Sequence, residues 1–442
     1  MELPRLALIF LPLAGIVAPT TGASPSATAR PRNVLFILTD QHRQDGVGAY
    51  GNPVVKTPHL DQLARGGIRF ERSYTAQPVC APNRASILSG LYPFTHGLRE
   101  NGWPLSPRTR TLAKMLAAHG YATGYFGKWH LGRGDSQGFA TFPNYPGDGR
   151  GRDHYYTIDG MRRYATDVLT DDAIGFLRQT RAQPFFLFVS YYPPHPPYSV
   201  PPEYEERYRA QFPDDAERRI YYAMCTKVDE SIGRLLDALH ELGRDRDTLV
   251  AFTSEHGHYF ETRWNDHPKR LCYDTAARVP LLMRLPGVIP AGQVTRELIS
   301  AVDLVPTILG LVGQPVPEGL QGQDLSGLAK GTAPGRDAAF MINFPFIIRM
   351  PRPDPVLKFN THPDWRHEER AVVNRAGWKL ILSAAREPEL YFVPDDPDER
   401  NNRFPAMRTS DEVRGLAMQV YRWAIETGDS VAPRLVQDLL PQ

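Results

Sequence analysis

Only three cysteines, Cys80, Cys225 and Cys272, occur in 442 residues, and no two are spaced C-x-x-C. A disulfide framework and a thiolate zinc site are thereby excluded, so each cysteine is judged on its own surroundings. Charge of one sign is also lacking, because 51 Lys and Arg face 49 Asp and Glu. Without a basic surplus the chain has no electrostatic purchase on a phosphate backbone, and nucleic acid is not an expected partner. Long apolar runs are missing too. The run over 6–18 is shorter than the roughly 20 residues a spanning helix needs and contains Pro12 and Gly15; no later run is longer, so no membrane association is expected. There is no Asn-x-Ser/Thr sequon and no repeat of solenoid length. What is present, 42% hydrophobic and 23% charged residues, is the composition of a folded protein with a large core.

The apolar run over 6–18 follows Arg5 and gives way to small residues through Ala23, the pattern of a secretory signal peptide over 1–23, which places the mature chain in the periplasm or outside the cell. From Asn33 onward, short apolar runs alternate with amphipathic stretches. Segments 34–39, 121–126, 185–189, 248–254 and 279–283 read as strands. The alternation predicts an α/β fold, a large mostly parallel sheet sandwiched by helices. Thr57 reads as the N-cap of a helix opened by Pro58 and stopped by Gly66, and 220–242 as a long helix with Ile232, Leu235, Leu236 and Leu239 on one stripe. A Gly/Pro/Ala-rich stretch at 329–336 reads as a linker between a domain over 33–330 and a smaller α+β unit over 337–442. In the latter, 371–382 holds two short strands around Gly377, 389–393 a third, and 411–427 a closing helix.

In open α/β sheets, ligands gather at the carboxyl ends of strands. Strand 34–39 runs into Asp40-Gln41, and 248–254 runs into Glu255-His256. Carboxylates with an amide oxygen suit Ca²⁺ or Mg²⁺, with imidazole a less usual companion; the bland reading of each pair is a cap or a turn. Sharper is Cys80-Ala81-Pro82-Asn83-Arg84. Pro82 suits a first helical turn and puts Cys80 at a helix N-terminus, where free amides and the dipole favour an anion. Arg84, one turn on, can turn back toward residue 80. The bland reading of Cys80 is a buried thiol, as it is for Cys225 and Cys272, between which sequence leaves a bridge open.

C-x-P-x-R at 80–84, preceded by Asn33-Val34-Leu35-Phe36-Ile37-Leu38-Thr39-Asp40-Gln41, resembles the type I sulfatases of the alkaline phosphatase superfamily. The resemblance continues in order through Gly127-Lys128-Trp129-His130, Pro194-His195-Pro196, Ser254-Glu255-His256-Gly257, Lys269 and Asp303-Leu304-Val305-Pro306-Thr307 to Glu389-Leu390-Tyr391, and so spans nearly the whole mature chain. It implies an enzyme that hydrolyses a sulfate ester. It implies also that Cys80 is oxidised to formylglycine by a separate maturation enzyme, a transient partner acting before folding. One hydroxyl of the hydrated aldehyde would attack sulfur and form a covalent sulfate ester, and the other would lose its proton to expel sulfate. By the same resemblance Arg84, Lys128 and His130 orient that diol, while His195 and Lys269 bind sulfate oxygens and protonate the leaving group. Asp40, Gln41, Glu255 and His256 hold one Ca²⁺, with Mg²⁺ second, and residue 80 faces it.

Two residues depart from the family pattern. Gln41 stands where a second acidic residue is usual, and its carbonyl remains a ligand for calcium. Glu255 stands where Asp is usual, and its extra methylene shifts the carboxylate by more than a metal site ordinarily tolerates. The expected substrate is a sulfated small molecule or glycan, with the loops at 135–156 and 343–365 as the specificity rim. Two alternatives stand beside this reading, a phosphonate monoester or phosphodiester hydrolase of the same superfamily and a catalytically weakened protein that binds sulfated glycans.

Overall fold

Every residue of β1 (Asn33–Asp40) is buried. Val34, Phe36 and Leu38 enter one core, whereas Leu35 and Ile37 enter another. A strand apolar on both faces belongs in the middle of a sheet covered on both sides. β1 lies there, parallel to both β6 (Phe185–Pro194) and β7 (Thr248–Ser254). The strand order is β10 (Gln293–Ser300), β2 (Ile68–Tyr74), β9 (Leu281–Arg284), β7, β1, β6 and β3 (Ala122–Gly127), with β8 (Arg278–Val279) paired to β2. The pairs β3 with β6, β6 with β1, β1 with β7 and β10 with β2 are parallel, and β8 and β9 run against them. Helices Pro58–Arg65, Ala165–Gln179 and Ala216–Glu241 cover one face through residues such as Leu60, Leu169 and Ile232. Helices Cys80–Ser89, Leu112–Ala118 and Leu304–Val312 cover the other through Leu88, Leu116 and Ile308. A hairpin of β4 (Tyr155–Ile158) and β5 (Met161–Tyr164) leads into the helix Ala165–Gln179.

A second sheet, antiparallel and in chain order, is formed by β11 (Ala338–Asn343), β12 (Glu369–Asn374), β13 (Trp378–Ser383) and β14 (Glu389–Phe392). One face packs Val372 and Leu380 toward Val413 and Leu416 of the helix Asp411–Thr427. The other packs Ala371, Val373 and Ile381 against Leu271, Cys272 and Tyr273.

These coordinates, a computed structural model, describe residues 32–145, 153–180, 183–260, 269–345 and 367–440. The signal peptide read at 1–23 lies outside them, as do 146–152 and 346–365 of the two expected rim loops. The expected α/β sandwich is present, and all five predicted strands are found, the last broken at Pro280 into β8 and β9. β2, β4, β5, β10 and β11 are not among the predicted strands. The helix at 216–241 starts four residues before its predicted position because Asp215 caps it, accepting from the Arg218 N–H at 2.9 Å. Thr57 occupies the N-cap position of the helix at Pro58 as expected, but its side chain makes no cap hydrogen bond. Its hydroxyl instead accepts from the Gly48 N–H at 2.8 Å and donates to Asp61 at 3.2 Å. All three cysteines are free, so Cys225 and Cys272 are not bridged.

His96, at the end of the short helix Pro93–His96, ties that turn to the helix bearing Cys80. Its Nδ1 accepts from the Leu98 N–H at 3.1 Å, which leaves Nε2 to donate to Ser86 Oγ, also at 3.1 Å. The bond accepted by Nδ1 needs the neutral ring, and burial pushes its pKa down to about 3. The unfolded chain therefore binds a proton near pH 6.5 that the folded chain refuses. Stability from this group is complete above pH 6.5 and is lost as pH falls toward 3, by up to about 1.4 kcal/mol per pH unit. Urea unfolding of wild type and His96→Gln between pH 7 and 4 checks this, and the variant is expected to show the shallower fall.

Candidate active site

β7, β1, β6 and β3 are neighbours pointing the same way, so their carboxyl ends open on one place. β1 ends at Asp40 with Gln41 next, and Glu255-His256 follow β7. Lys128 follows β3, and His195 follows β6. Cys80 is the first residue of the helix Cys80–Ser89, every residue of which is buried. Lys269 comes from beyond β7 and completes the cluster.

Cys80 Sγ lies 3.0 Å from Lys269 Nζ, 3.3 Å from His256 Nε2 and 3.6 Å from Asp40 Oδ1. Lys128 Nζ bridges two carboxylates, 2.5 Å from Asp40 Oδ2 and 3.3 Å from Glu255 Oε2. Arg84 does not turn back to residue 80 as expected. Its guanidinium is committed to Glu255, the Tyr125 hydroxyl, the Lys128 carbonyl and Ser190 Oγ. His195 Nε2 faces Asp40 Oδ2 at 3.9 Å. His130 is half-buried, with a φ of 57°, two residues beyond Lys128. Seven of the expected side chains thus meet Asp40 or one another directly, and His130 follows on the same loop.

Three buried cations, Arg84, Lys128 and Lys269, face two buried carboxylates, Asp40 and Glu255. The surplus is positive, which suits an anionic ligand. Its effect is visible at Cys80, where burial and Asp40 oppose ionisation but Lys128, Lys269 and His256 outweigh them, leaving the thiol well below its usual range. Burial has the larger effect on His195 and pushes it down to about 3. Its Nδ1 sits 2.6 Å from the Pro196 carbonyl, an acceptor, so the neutral ring carries its proton there and presents a bare Nε2 to the cluster.

A divalent ion fits these residues. Asp40, Cys80, Glu255 and His256 each offer a ligand atom, and all four atoms lie within 4.8 Å of one another. Two oxygens on opposite sides of a Ca²⁺ at about 2.4 Å are separated by about that distance. His256 Nδ1 is held by the Gly257 carbonyl at 2.9 Å, which turns Nε2 toward the cluster as the ligand atom. Gln41 is buried with φ 63°, and neither polar atom of its carboxamide has a hydrogen-bond partner. A buried amide left unsatisfied is costly unless something else binds it. The extra methylene of Glu255 leaves its carboxylate inside the cluster.

Other residues of the site were not anticipated. Asn83 accepts from the Ala76 N–H at 2.9 Å and donates to the Glu255 carbonyl at 2.6 Å. Asn101 Oδ1 accepts the Ala81 N–H at 3.0 Å and so caps the helix that presents Cys80. A signal existed for Asn83, because asparagine inside a helix is unfavourable unless its side chain bonds elsewhere. Asn101, Tyr125 and Ser190 carry no local signal. His258, unassigned from sequence, bonds the Tyr198 hydroxyl at 2.8 Å; Asp266 and His267 lie outside the described residues.

The model of the Sulfatase family matches residues 32–314, and that of the N-sulphoglucosamine sulphohydrolase C-terminal region matches 260–424. The chain is 34% identical over 350 residues to an ulvan-active sulfatase of Formosa agariphila, covering 70% of this chain and 67% of that protein. It is 27% identical to an N-acetylglucosamine-6-O-sulfatase of Bacteroides thetaiotaomicron over 90% of this chain and 87% of the other. Among solved structures, the phosphonate monoester hydrolase of Agrobacterium radiobacter superposes with a TM-score of 0.74 at 26% identity, covering 90% of this chain and 96% of that one.

Gly127, the last residue of β3, sets where Lys128 begins. It has φ 114°, and a Cβ there would sit 2.0 Å from the Ser190 carbonyl, which accepts the Lys128 N–H at 3.0 Å. Gly127→Ala is expected to cost about 2 kcal/mol or more in urea unfolding and to lower kcat by moving Lys128 away from Asp40.

Proposed function

The chain belongs to the sulfatase family, enzymes that hydrolyse sulfuric esters, and from that premise we propose that it is an exported enzyme acting on a carbohydrate sulfate. In this reading formylglycine made from Cys80 provides the nucleophile, and the cluster at Asp40 holds one Ca²⁺, or Mg²⁺. The observation that carries the reading is the position of Cys80, first in a buried helix and within 3.6 Å of Lys269, His256 and Asp40. A thiol kept only for packing has no need of that company. The carbohydrate is supported by the relative named for N-acetylglucosamine-6-O-sulfate. Export is supported by the signal-peptide pattern over 1–23, and no helix among the described residues is long and apolar enough to cross a membrane.

Hydrated formylglycine at position 80 supplies a geminal diol as the attacking group. The cation, held by Asp40, Gln41, Glu255 and His256 with residue 80 facing it, supplies Lewis-acid polarisation. Lys128 holds the Asp40 and Glu255 carboxylates apart and in place, and Arg84 secures Glu255 from the other side. Lys269 binds a sulfate oxygen and carries the proton for the leaving group. As the sulfur–oxygen bond to the departing alcohol breaks, the freed electron pair on that oxygen takes a proton from Nζ. His195 contacts the sulfate once Nε2 takes up a proton and donates it in a hydrogen bond to a sulfate oxygen, and His130 reaches the diol from the loop after β3. Because the helix starting at Cys80 is buried throughout, the maturation enzyme works on the chain before that helix folds.

Peptide mass spectrometry on protein from a host that converts a control sulfatase tests the nucleophile. Formylglycine at position 80 is expected, and an unmodified Cys80 would overturn the reading. Chelation is expected to abolish turnover, with activity restored by Ca²⁺ and, to a smaller degree, by Mg²⁺. A second reading, phosphonate monoester hydrolysis, is favoured by the neighbour of that activity at 26% identity. Measured kcat/KM on 4-nitrophenyl sulfate and 4-nitrophenyl phenylphosphonate decides between them. The sulfate ester is expected to be faster by about tenfold or more, since that ratio corresponds to only about 1.4 kcal/mol in the barrier.

A further inference from the structure

Lys269 is held at the end of a strip, residues 270–274, that the C-terminal sheet grips at successive positions. The Cys272 N–H donates to Glu369 Oε2 at 2.7 Å. The Tyr273 hydroxyl donates to the Glu389 carboxylate at 2.9 Å. The Asp274 N–H donates to Glu399 Oε2 at 2.6 Å, and the Asp274 carboxylate pairs with Lys379 Nζ at 2.7 Å. These partners come from β12, β14, the segment after β14, and β13, so every strand of that sheet except β11 contributes. Glu369, Lys379 and Glu399 are at most 1% exposed. Buried ionic groups of this kind contribute little net stability compared with apolar packing, but their bonds are directional. At the near end, Arg270 turns the backbone through φ 116° and anchors on Glu100 at 2.6 Å. Lys269, one residue earlier, then reaches both Cys80 Sγ and His256 Nε2 at 3.0 Å.

We propose that Glu369 is a positioning residue for the leaving-group acid, fixing through the Cys272 N–H where Lys269 Nζ sits, with Glu389 and Lys379 holding the same strip behind it. The inference rests on the reading of Lys269 as that acid. Proton delivery depends steeply on placement, and a displacement of about 1 Å costs about a hundredfold. The C-terminal sheet thus acts on the chemistry without touching substrate.

The test compares kcat/KM on 4-nitrophenyl sulfate, whose phenolate leaves readily without a proton, and phenyl sulfate, whose phenolate leans on one. Lys269→Ala is the reference and is expected to lose about tenfold or more activity on phenyl sulfate beyond its loss on the nitrophenyl ester. Glu369→Ala is expected to lose in the same sense, and Glu369→Gln, whose amide oxygen still accepts the Cys272 N–H, to recover to within about threefold of wild type. Equal losses on both esters for Glu369→Ala, with Lys269→Ala selective, would overturn the inference alone. Equal losses for Lys269→Ala would overturn the reading beneath it. Where Glu369→Ala yields no folded protein, Tyr273→Phe, which cuts the Glu389 anchor and keeps Glu369, is read by the same criterion: a leaving-group-dependent loss supports the inference and an even loss overturns it.

Discussion

Two carboxylates shut away from water, Asp40 and Glu255, set the terms for the residues around them. A buried charge left unpaired costs several kcal/mol, so each must be matched on the spot. Lys128 meets both, and Arg84 takes the remaining side of Glu255. Those cations in turn need acceptors, which Tyr125, Ser190 and the Lys128 carbonyl provide. The requirement spreads outward from the ends of β1 and β7 to β3 and β6. It is met because these four strands are neighbours and parallel. The arrangement also shows how the glutamate that stands at position 255 is held. Its longer side chain is fixed at both oxygens, so the added freedom is removed by partners.

How much of this was legible in sequence depended on how local each cause was. β1 was legible because a strand buried on both faces is apolar throughout. The hairpin around Gly377 was legible because a turn with φ 104° calls for glycine. β2 and β10 were not, since Arg69, Glu71, Arg72 and Arg296 interrupt them, and β10 forms an edge where one side needs no apolar residues. Cys80, Lys128 and His256 were legible through motifs. Asn101 and Ser190 were not, because only the tertiary fold brings them to Ala81 and Arg84. Thr57 was legible as the N-cap position, but not that its hydroxyl is claimed by Gly48 across a loop instead of by the helix.

The site is thus built from two kinds of support. Strand ends carry Asp40, Glu255, His195 and Lys128, the first three on strands with hydrogen-bonded neighbours on both sides and Lys128 on β3 at the edge beside β6. Among the described residues no strand leads into Lys269, and the strip that follows it is held by side chains of the second sheet. Precision in a site follows the rigidity of what bears it, and here a sheet with its own core and closing helix takes the place of a strand.

That footing has a consequence for the order of events during synthesis. A chain emerging from the ribosome completes β1, the Cys80 helix and β7 long before residue 369 exists. Glu399, which holds Asp274, comes later still. The nascent protein can therefore assemble its sheet while the strip after Lys269 is untethered, and that strip is gripped only when the final quarter of the chain arrives. Truncation near the C-terminus would accordingly cost more than the loss of an appendage, for it would leave the strip that follows Lys269 without the side chains that hold it.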